Sequence, residues 1–312
     1  MAPILEELAP LPEINLTGFT QQEVNLLTES LDREDETRVG DIPALTEQPK
    51  ARTGDLYKLG SHRLVCGDAA DPNVWRRLLG STKAAIILAD PPYGVSYDNT
   101  VHFMKNPVTG KVAHHDKDWG PVEGDQTTDA AIKVLPLIFA NLTENGVAYI
   151  CSGTKLAVRI ANWLDTNKVH YAPFLIWVKR HFVVTWERYH NQHELIIYCG
   201  PGSGPTGAKS RWFGPKNETS VWEIKQELGH DRAHPTQKPV ALYERAIINS
   251  SVRDEIVVDP FAGSGTCIIA AEKHVRRAFC IEIDPRWVDV ALKRWEKYTG
   301  RKPERIDSTK GG

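Results

Sequence analysis

The sequence contains no run of 18 apolar residues, no strong excess of charge of either sign, and little cysteine or methionine. Its 312 residues include 38 Lys and Arg against 40 Asp and Glu, a formal net charge of −2. The missing apolar run predicts that no segment spans a membrane, and the near-neutral charge excludes a uniformly basic nucleic-acid-binding surface. The first residues also lack the basic and apolar regions of a signal peptide, so we expect a cytoplasmic protein.

The few cysteines are spaced in a way that excludes the common zinc motifs, because they form no Cys-x-x-Cys pair. They are Cys66, Cys151, Cys199, Cys267 and Cys280. The adjacent His114 and His115 also lack further ligands at suitable spacing. The sequence therefore predicts reduced, structural thiols and no metal site.

Charge is distributed unevenly along the chain. Residues 1–50 carry eleven Asp or Glu against three Lys or Arg, so their local net charge is −8 and the remaining residues carry +6. Several prolines surround one short amphipathic stretch in this acidic part. We therefore expect an acidic, mostly irregular lead-in over residues 1–52, a folded catalytic domain over 53–300 and a flexible tail over 301–312.

From residue 62 onward, short apolar strands alternate with helical segments, which is typical of a parallel α/β sheet. The predicted strands cover residues 62–68, 84–90, 146–152, 173–179, 194–199, 255–261 and 278–284. The predicted helices cover residues 72–80, 128–142, 155–167, 239–250, 265–274 and 286–298. Two long segments of low periodicity, 94–125 and 200–233, interrupt this pattern, and loops of that length are usually functional or disordered.

A glycine-rich turn over residues 259–266 joins a predicted strand to a helix. Its glycines let the backbone approach a ligand, and free N–H groups at the helix start favour a carboxylate or phosphate. Glu282 ends the next strand, where a carboxylate can accept both hydroxyls of a ribose. The turn lacks the spacing of dinucleotide-binding and P-loop motifs, so S-adenosylmethionine fits better. A turn that only packs the strand on the helix is the alternative.

A second motif, Asp-Pro-Pro-Tyr over residues 90–93, directly follows another predicted strand. Two prolines fix the backbone and lack N–H groups, so the turn can present a carboxylate and a free carbonyl rigidly. Asp90 and the Pro91 carbonyl could accept the two N–H bonds of an exocyclic amine, and Tyr93 offers a ring for stacking a base. A proline turn that merely ends a strand is the alternative reading.

Together the two motifs resemble those of amino-methyltransferases, which read (D/N/S)PP(Y/F/W) and FxGxG. The second is matched by Phe261, Gly263 and Gly265, and the Asp-Pro-Pro-Tyr motif precedes it in the chain. This order is similar to that of the β group of DNA amino-methyltransferases. The resemblance covers residues 53–300 approximately and includes His-Pro-Thr-Gln-Lys-Pro at 234–239 and Leu-Val-Cys-Gly-Asp at 64–68.

This resemblance implies a circularly permuted, Rossmann-like methyltransferase fold, with a mostly parallel seven-stranded sheet and an antiparallel hairpin. It implies a site-specific, adenine-specific DNA methyltransferase that moves a methyl group from S-adenosylmethionine, leaving S-adenosylhomocysteine, to N6 of a flipped adenine. In the family, Asp in the first motif position tends to accompany adenine and Ser cytosine. Cytosine N4 is therefore the alternative target, and an RNA or protein amino-methyltransferase or an inactive DNA-binding module are more distant alternatives.

The resemblance also implies roles for individual residues. The catalytic ones are Asp90, Pro91, Pro92 and Tyr93. Asp68 would contact the cofactor adenine and Glu282 its ribose. The remaining cofactor-binding residues would hold the methionine end: Thr236, Lys238, Asp259, Phe261, Ala262, Gly263, Ser264, Gly265 and Thr266. Asp259 and Lys238 each have a structural alternative, as a turn cap and as a solvated lysine at a helix start.

Residues 14–60 resemble the linker that follows a ParB-like nuclease domain in fused bacterial and phage methylases. That nuclease domain is absent here, so the chain resembles the methylase part of such proteins, acting in a bacterial cell or a phage-infected host. It would serve a restriction-modification system or act as an orphan methylase. The expected partners are double-stranded DNA and a second copy of the chain.

Basic residues interleaved with aromatic ones predict DNA contacts outside the two motifs. The candidates are Lys105, Lys111, Lys117, Lys179, Arg180, Arg188, Lys209, Arg211 and Trp212. We expect the loop over 94–125 to be a lid or a DNA-contacting loop, and the loop over 200–233 to recognise the target sequence. Trp177, on a predicted strand, is expected in the core instead.

Overall fold

The computed structural model describes residues 42–93, 128–183, 189, 191–202, 205, 211–224 and 238–306. The strands in these ranges are β1 Leu56–Leu59, β2 His62–Cys66, β3 Ala84–Ala89, β4 Leu142–Ser152, β5 His170–Tyr171, β6 Leu175–Val183, β7 Asn191–Gly200, β8 Val221–Glu223, β9 Ile256–Asp259, β10 Arg277–Glu282 and β11 Glu304–Ile306. The helices are α1 Pro72–Leu79, α2 Asp129–Asn141, α3 Thr154–Thr166, α4 Val240–Ser250, α5 Thr266–Lys273 and α6 Pro285–Thr299.

All the described strands belong to one sheet, in the order β11-β1-β2-β10-β9-β3-β4-β7-β6-β8, with β5 paired to β7. Strands β2, β10, β9, β3 and β4 are parallel. Strand β7 runs antiparallel to both β4 and β6. These seven strands form the mostly parallel sheet with an antiparallel hairpin that the sequence predicts, so the predicted fold is confirmed. The short strands β1, β5, β8 and β11 extend it beyond the prediction.

The parallel strands are buried on both faces, as expected when helices cover both sides of a sheet. Every residue of β3 and of β9 is buried. Two of the covering helices, α1 and α6, start in the same way: Asp71 and Asp284 accept hydrogen bonds from the backbone two residues ahead, and proline follows each of them. An Asp cap with proline in the first turn satisfies free N–H groups and fixes where the helix starts.

The sheet brings the two predicted motifs, which are far apart in sequence, next to each other. Strand β3, which leads into Asp90, pairs with β9, which ends at Asp259, although they are far apart in sequence. Because parallel strands end at the same edge, Asp90, Asp259, Glu282 and Asp68 all lie where β3, β9, β10 and β2 end. We call this edge the carboxyl edge and the opposite one the amino edge.

Residues 42–52 lie against α6 without forming helix or strand. Ile42 packs on Trp287 and Val290, and the backbone N–H groups of Lys50 and Ala51 donate to Asp289 at 2.7 and 3.1 Å. The buried Asp289 carboxylate therefore fixes this segment of the chain on α6. The five cysteines are all buried.

None of the helices in the described ranges is long and apolar enough to cross a membrane. The same ranges contain no group of three or more His, Cys, Asp or Glu side chains that could hold a metal ion.

Candidate active site

A buried lysine holds the Asp90 carboxylate at the carboxyl edge. Lys238, which lies just before α4, donates from Nζ to Oδ1 and to Oδ2 of Asp90, both at 2.8 Å. The same ammonium contacts Oε2 of Glu194 at 3.0 Å. Glu194 lies near the start of β7, beside the end of β4, so the antiparallel hairpin brings a second carboxylate to the turn.

Tyr93 and Lys179 complete this cluster. The Tyr93 hydroxyl lies 3.0 Å from Oδ1 of Asp90 and 2.9 Å from Oε2 of Glu194. Lys179 of β6 forms an ion pair with the other oxygen of Glu194. Burial and the two carboxylates raise the pKa of Tyr93, so its hydroxyl is protonated and acts as the donor. The cluster therefore joins two carboxylates, two ammonium groups and one hydroxyl, with no net charge.

The pKa shifts follow from this arrangement. Burial alone would raise the pKa of Glu194, but Lys238 and Lys179 outweigh it and lower the pKa to about 2. Burial would lower the pKa of Lys238, but Asp90 and Glu194 outweigh it and raise the pKa. The pKa of Asp90 is raised by burial, and Lys238 opposes that rise. Asp90 is thus the carboxylate of the cluster whose pKa is raised, and Lys238 is the first group that opposes this rise.

One acceptor position on Asp90 remains open. A carboxylate offers roughly two lone pairs on each oxygen. Lys238 and the Tyr93 hydroxyl, whose single proton lies between Asp90 and Glu194, both contact Oδ1, whereas Lys238 alone contacts Oδ2. The Asp90 side chain is 18% exposed. Oδ2 is therefore the oxygen that can still accept an N–H from a substrate.

The glycine-rich turn begins at Asp259, whose two oxygens have different environments. Oδ1 accepts the backbone N–H of Phe261 at 2.9 Å. Oδ2 is buried and accepts no hydrogen bond of ordinary geometry from the described residues, although the Tyr243 hydroxyl lies close enough to the carboxylate to lower its pKa. Burial raises the pKa of Asp259 to about 8, and the nearby charges of Asp90 and Glu282 add to the rise. A cation bound at Oδ2 would offset this cost.

Glu282 holds the middle of the turn. Its Oε2 accepts the backbone N–H of Gly263 at 2.7 Å, and its Oε1 accepts that of Asp284 at 2.9 Å. Burial raises the pKa of Glu282 to about 7, although these backbone donors oppose the rise. Both oxygens are thereby oriented, and each keeps a lone pair for a hydroxyl donor.

A buried arginine that the sequence does not single out supports the end of the turn. Arg294 of α6 donates from Nη1 to Oγ of Ser264 at 3.1 Å and to Oγ1 of Thr266 at 3.2 Å. Both hydroxyls thus bind the protein itself. Ala262 is buried and its N–H donates to Ile281, so the turn is fixed to β10 as well.

The remaining predicted cofactor residues are Asp68, Lys238 and Thr236. Asp68 follows β2 at the carboxyl edge and is exposed, with Oδ1 accepting the N–H of Ala70 at 2.8 Å. Lys238 is not a solvated lysine, since it is only 4% exposed and its contacts are Asp90 and Glu194. Thr236 lies outside the described residues.

The residues predicted to contact DNA lie in different parts of the structure. Lys179 is partly buried against Glu194 and its Nζ lies 5.4 Å from the centre of the Trp177 ring. Trp177 itself is buried, as expected. The others, apart from Arg211 and Trp212, lie outside the described part of the chain: Lys105, Lys111, Lys117, the side chain of Arg180, Arg188 and Lys209.

Arg211 and Trp212 lie at the amino edge and not beside the reacting groups. Arg211 forms an ion pair with Glu255, which immediately precedes the first residue of β9. The N–H of Phe213, two residues after Arg211, donates to the Asn249 carbonyl near the end of α4. Trp212 is 37% exposed and donates to Pro215. This position does not support DNA contact by these two residues near the target base, and residues 211–224 include a strand, β8, where the sequence predicts only loop.

Comparisons with known proteins identify relatives of this chain. A family model described as DNA methylase matches residues 84–293, more than half of the chain. The Type II methyltransferase M.HinfI of Haemophilus influenzae is 27% identical over 231 residues, which cover 67% of this chain and 62% of that protein. The Type II methyltransferase M.HpaI of Haemophilus parainfluenzae is 24% identical over 253 residues, 74% of this chain and 73% of that protein. The chain thus spans less than two thirds of M.HinfI.

Solved structures show the same fold. The M1.HpyAVI complex with SAM matches with a TM-score of 0.51 and 24% identity, covering 74% of this chain and 98% of that one. The PvuII DNA methyltransferase, described as cytosine-N4-specific, matches with a TM-score of 0.54 and 16% identity, covering 83% and 94%. A protein from Thermus thermophilus, described as a putative DNA modification methylase and complexed with S-adenosyl-L-methionine, matches with a TM-score of 0.51 and 22% identity, covering 77% and 96%.

Proposed function

Because the chain belongs to the DNA methylase family, we propose that it transfers a methyl group from S-adenosylmethionine to N6 of adenine in a specific duplex DNA sequence. The observation that carries this proposal is the Asp90 cluster. It presents one open carboxylate lone pair, on Oδ2, at the same sheet edge as the glycine-rich turn. An amine acceptor next to a nucleoside-binding turn is what amino-group methylation requires.

The residues of the turn fit the cofactor. The open, buried Oδ2 of Asp259 suits the ammonium group of the methionine part. The oriented oxygens of Glu282 suit ribose hydroxyls, and a Cβ added at Gly263 would meet no atom within 4 Å, so a ligand can approach the backbone there. Asp68, at the end of β2 beside β10, would contact the adenine. Ser264 and Thr266 would contribute through their backbone, since Arg294 occupies their hydroxyls.

The residues of the chain would act mainly by positioning the target amine. When bound, S-adenosylmethionine supplies a methyl group activated by its sulfonium, so no strong base is needed. Asp90 Oδ2 would accept one amine N–H and the Pro91 carbonyl the other, which would orient the nitrogen lone pair for attack, and the proton that the amine loses on methylation would pass to Asp90 or to water. Tyr93, fixed by its hydroxyl, would stack on the flipped base. The buried Cys151 is not needed as a nucleophile.

The choice of adenine over cytosine rests on Asp90, because the family tends to carry Asp for adenine and Ser for cytosine in this position. The alternative is cytosine N4, the specificity in the description of the PvuII enzyme. Incubating the purified protein with duplex DNA and methyl-labelled cofactor, followed by nucleoside chromatography, should place the label in N6-methyladenine. Label found only in N4-methylcytosine would show that the target base is cytosine and not adenine. Label found only with RNA or protein substrates would show that DNA is not the substrate.

The lysines of the segment over 94–125 are proposed to contact DNA phosphates, although they lie outside the described residues. Replacing Lys105, Lys111 and Lys117 together with alanine should raise the KM for DNA and flatten its dependence on salt, by about one unit of the log–log slope for each lysine that contacts a phosphate. Steady-state rates between low and moderate salt measure this slope. Lys58→Ala on β1 is the control, and equal slopes in both proteins would reject the contacts.

A further inference from the structure

The ammonium group of Lys238 is saturated by carboxylate oxygens. It has three N–H bonds and three acceptors, namely both oxygens of Asp90 and Oε2 of Glu194, at 2.8, 2.8 and 3.0 Å. Its side chain is 3% exposed, so water contributes almost nothing. No N–H is therefore left for the methionine end of the cofactor, which the sequence resemblance implies that this lysine would hold.

Resting on the proposed methyl transfer, we propose that Lys238 is a positioning residue that keeps Asp90 ionised, with Oδ2 free to accept the target amine. Glu194 balances the charge of Lys238, because it accepts the third N–H of Lys238 and contacts the Tyr93 hydroxyl that lies against Oδ1 of Asp90. Lys179 in turn neutralises Glu194 from the far side.

The other groups around Asp90 make its ionisation depend strongly on Lys238. From the neighbouring elements, Asp259 of β9, Cys151 of β4 and Tyr243 of α4 also face this buried region. All three are neutral when protonated and negatively charged when deprotonated. Among the described residues, Lys238 is the cation within ion-pair distance of Asp90, so removing it leaves the carboxylate buried beside another carboxylate. An opposite charge at this distance typically lowers a carboxyl pKa by about 1–3 units.

The first test is the pH dependence of single-turnover methyl transfer by Lys238→Met, a neutral side chain of similar length. Transfer needs an ionised Asp90, so the rate rises with pH through the pKa of Asp90. Without Lys238 that pKa rises, and the acidic limb of the profile should move up by about 1–3 pH units. The loss of rate should be largest at low pH and should shrink as the pH increases. A purely structural role would lower the rate equally at every pH.

The second test removes the Glu194 carboxylate as well as Lys238. In Lys238→Met/Glu194→Gln, the carboxylate that repels Asp90 is also gone, so the acidic limb should move back down relative to Lys238→Met. Structural damage predicts the opposite, since two lost contacts are worse than one. This comparison also decides the case in which Lys238→Met is folded, by circular dichroism, but inactive throughout. If the double variant then shows no more activity than the single one, the proposal is overturned.

Lys273→Met is the matched control, because Lys273 pairs with Glu244 at 3.1 Å near the end of α5, and its profile should match that of the unaltered protein. A Lys238→Met profile that runs parallel to the control at all pH values would overturn the role of Lys238 and leave the proposed function intact. Absence of methyl transfer in the unaltered protein would instead refute the proposed function, so the two failures are distinguishable.

Discussion

Replacing Asp90 with alanine should lower the rate of methyl transfer by about 10²–10⁴-fold while S-adenosylmethionine still binds. The amine loses its acceptor at Oδ2, and the cofactor keeps its own groups, Asp259 and Glu282, which lie on other strands. Single-turnover rates with labelled cofactor and calorimetric titration of the cofactor measure the two effects separately. Turnover within a few-fold of the unaltered protein would refute the role of Asp90.

Asp90→Asn is a useful second variant, because Asp90→Ala also leaves the Lys238 ammonium buried with one carboxylate fewer beside it. Losing one partner of a buried ion pair typically costs about 3–5 kcal/mol of stability, and part of that cost also accompanies the neutral asparagine. Asparagine keeps the size of the side chain, and Lys238 and the Tyr93 hydroxyl together should attract its amide oxygen to the position of Oδ1. Its NH2 group would then occupy the position of Oδ2 and face the N–H of the substrate as a second donor. We therefore expect Asp90→Asn to be as inactive as alanine but better folded, as thermal unfolding can show.

The elements that the sequence predicts well are those that pack on both faces. Strands such as Ala84–Ala89 read as continuous apolar runs because helices cover them on both sides, and the six helices carry regular apolar faces. Strands β5, β8 and β11 are missed because they have only two or three residues and little apolar character. Their pairing is decided by neighbouring strands, which a single sequence does not show.

In the site, too, residues marked by a local motif are predictable, and residues placed by tertiary contacts are not. Asp90, Asp259 and Glu282 are predictable because a local motif at a strand end marks each of them. Glu194 falls within a predicted strand, and nothing in that stretch shows that it meets Lys238. The pairing register of the hairpin decides this, because it places Glu194 opposite Trp177 at the end of the sheet where Lys238 lies.

Two arginines show most clearly what cannot be predicted from the local sequence. Arg294 has the sequence context of an ordinary residue on an amphipathic helix, yet it is 1% exposed and binds two hydroxyls of the glycine-rich turn. Arg211 stands in a basic, aromatic stretch that suggests DNA, yet it pairs with Glu255 at the amino edge. In both cases the partner lies more than 20 residues away in sequence, so composition alone does not show which groups the side chain contacts.

Replacing Gly265 with alanine should destabilise the protein by about 2–5 kcal/mol, whereas Gly263→Ala should mainly weaken cofactor binding. Both glycines have positive φ, 79° and 49°, which costs a residue with a Cβ about 1–2 kcal/mol. A Cβ at Gly265 would also lie 2.9 Å from Cβ and 3.3 Å from Cα of Ala291, so α6 must move, and such overpacking typically costs about 1–3 kcal/mol.

A Cβ at Gly263 would meet no protein atom within 4 Å, so the space it enters is the space left for the ligand. Gly300→Ala is the matched control, since Gly300 has a φ of 71° and open space but ends α6 at the amino edge. Gly263→Ala and Gly300→Ala should lose similar stability in thermal unfolding, and only Gly263→Ala should lose affinity for S-adenosylmethionine in calorimetric titration. Equal affinity in these two variants would show that the cofactor does not approach the turn at Gly263, and the open space there would need another explanation.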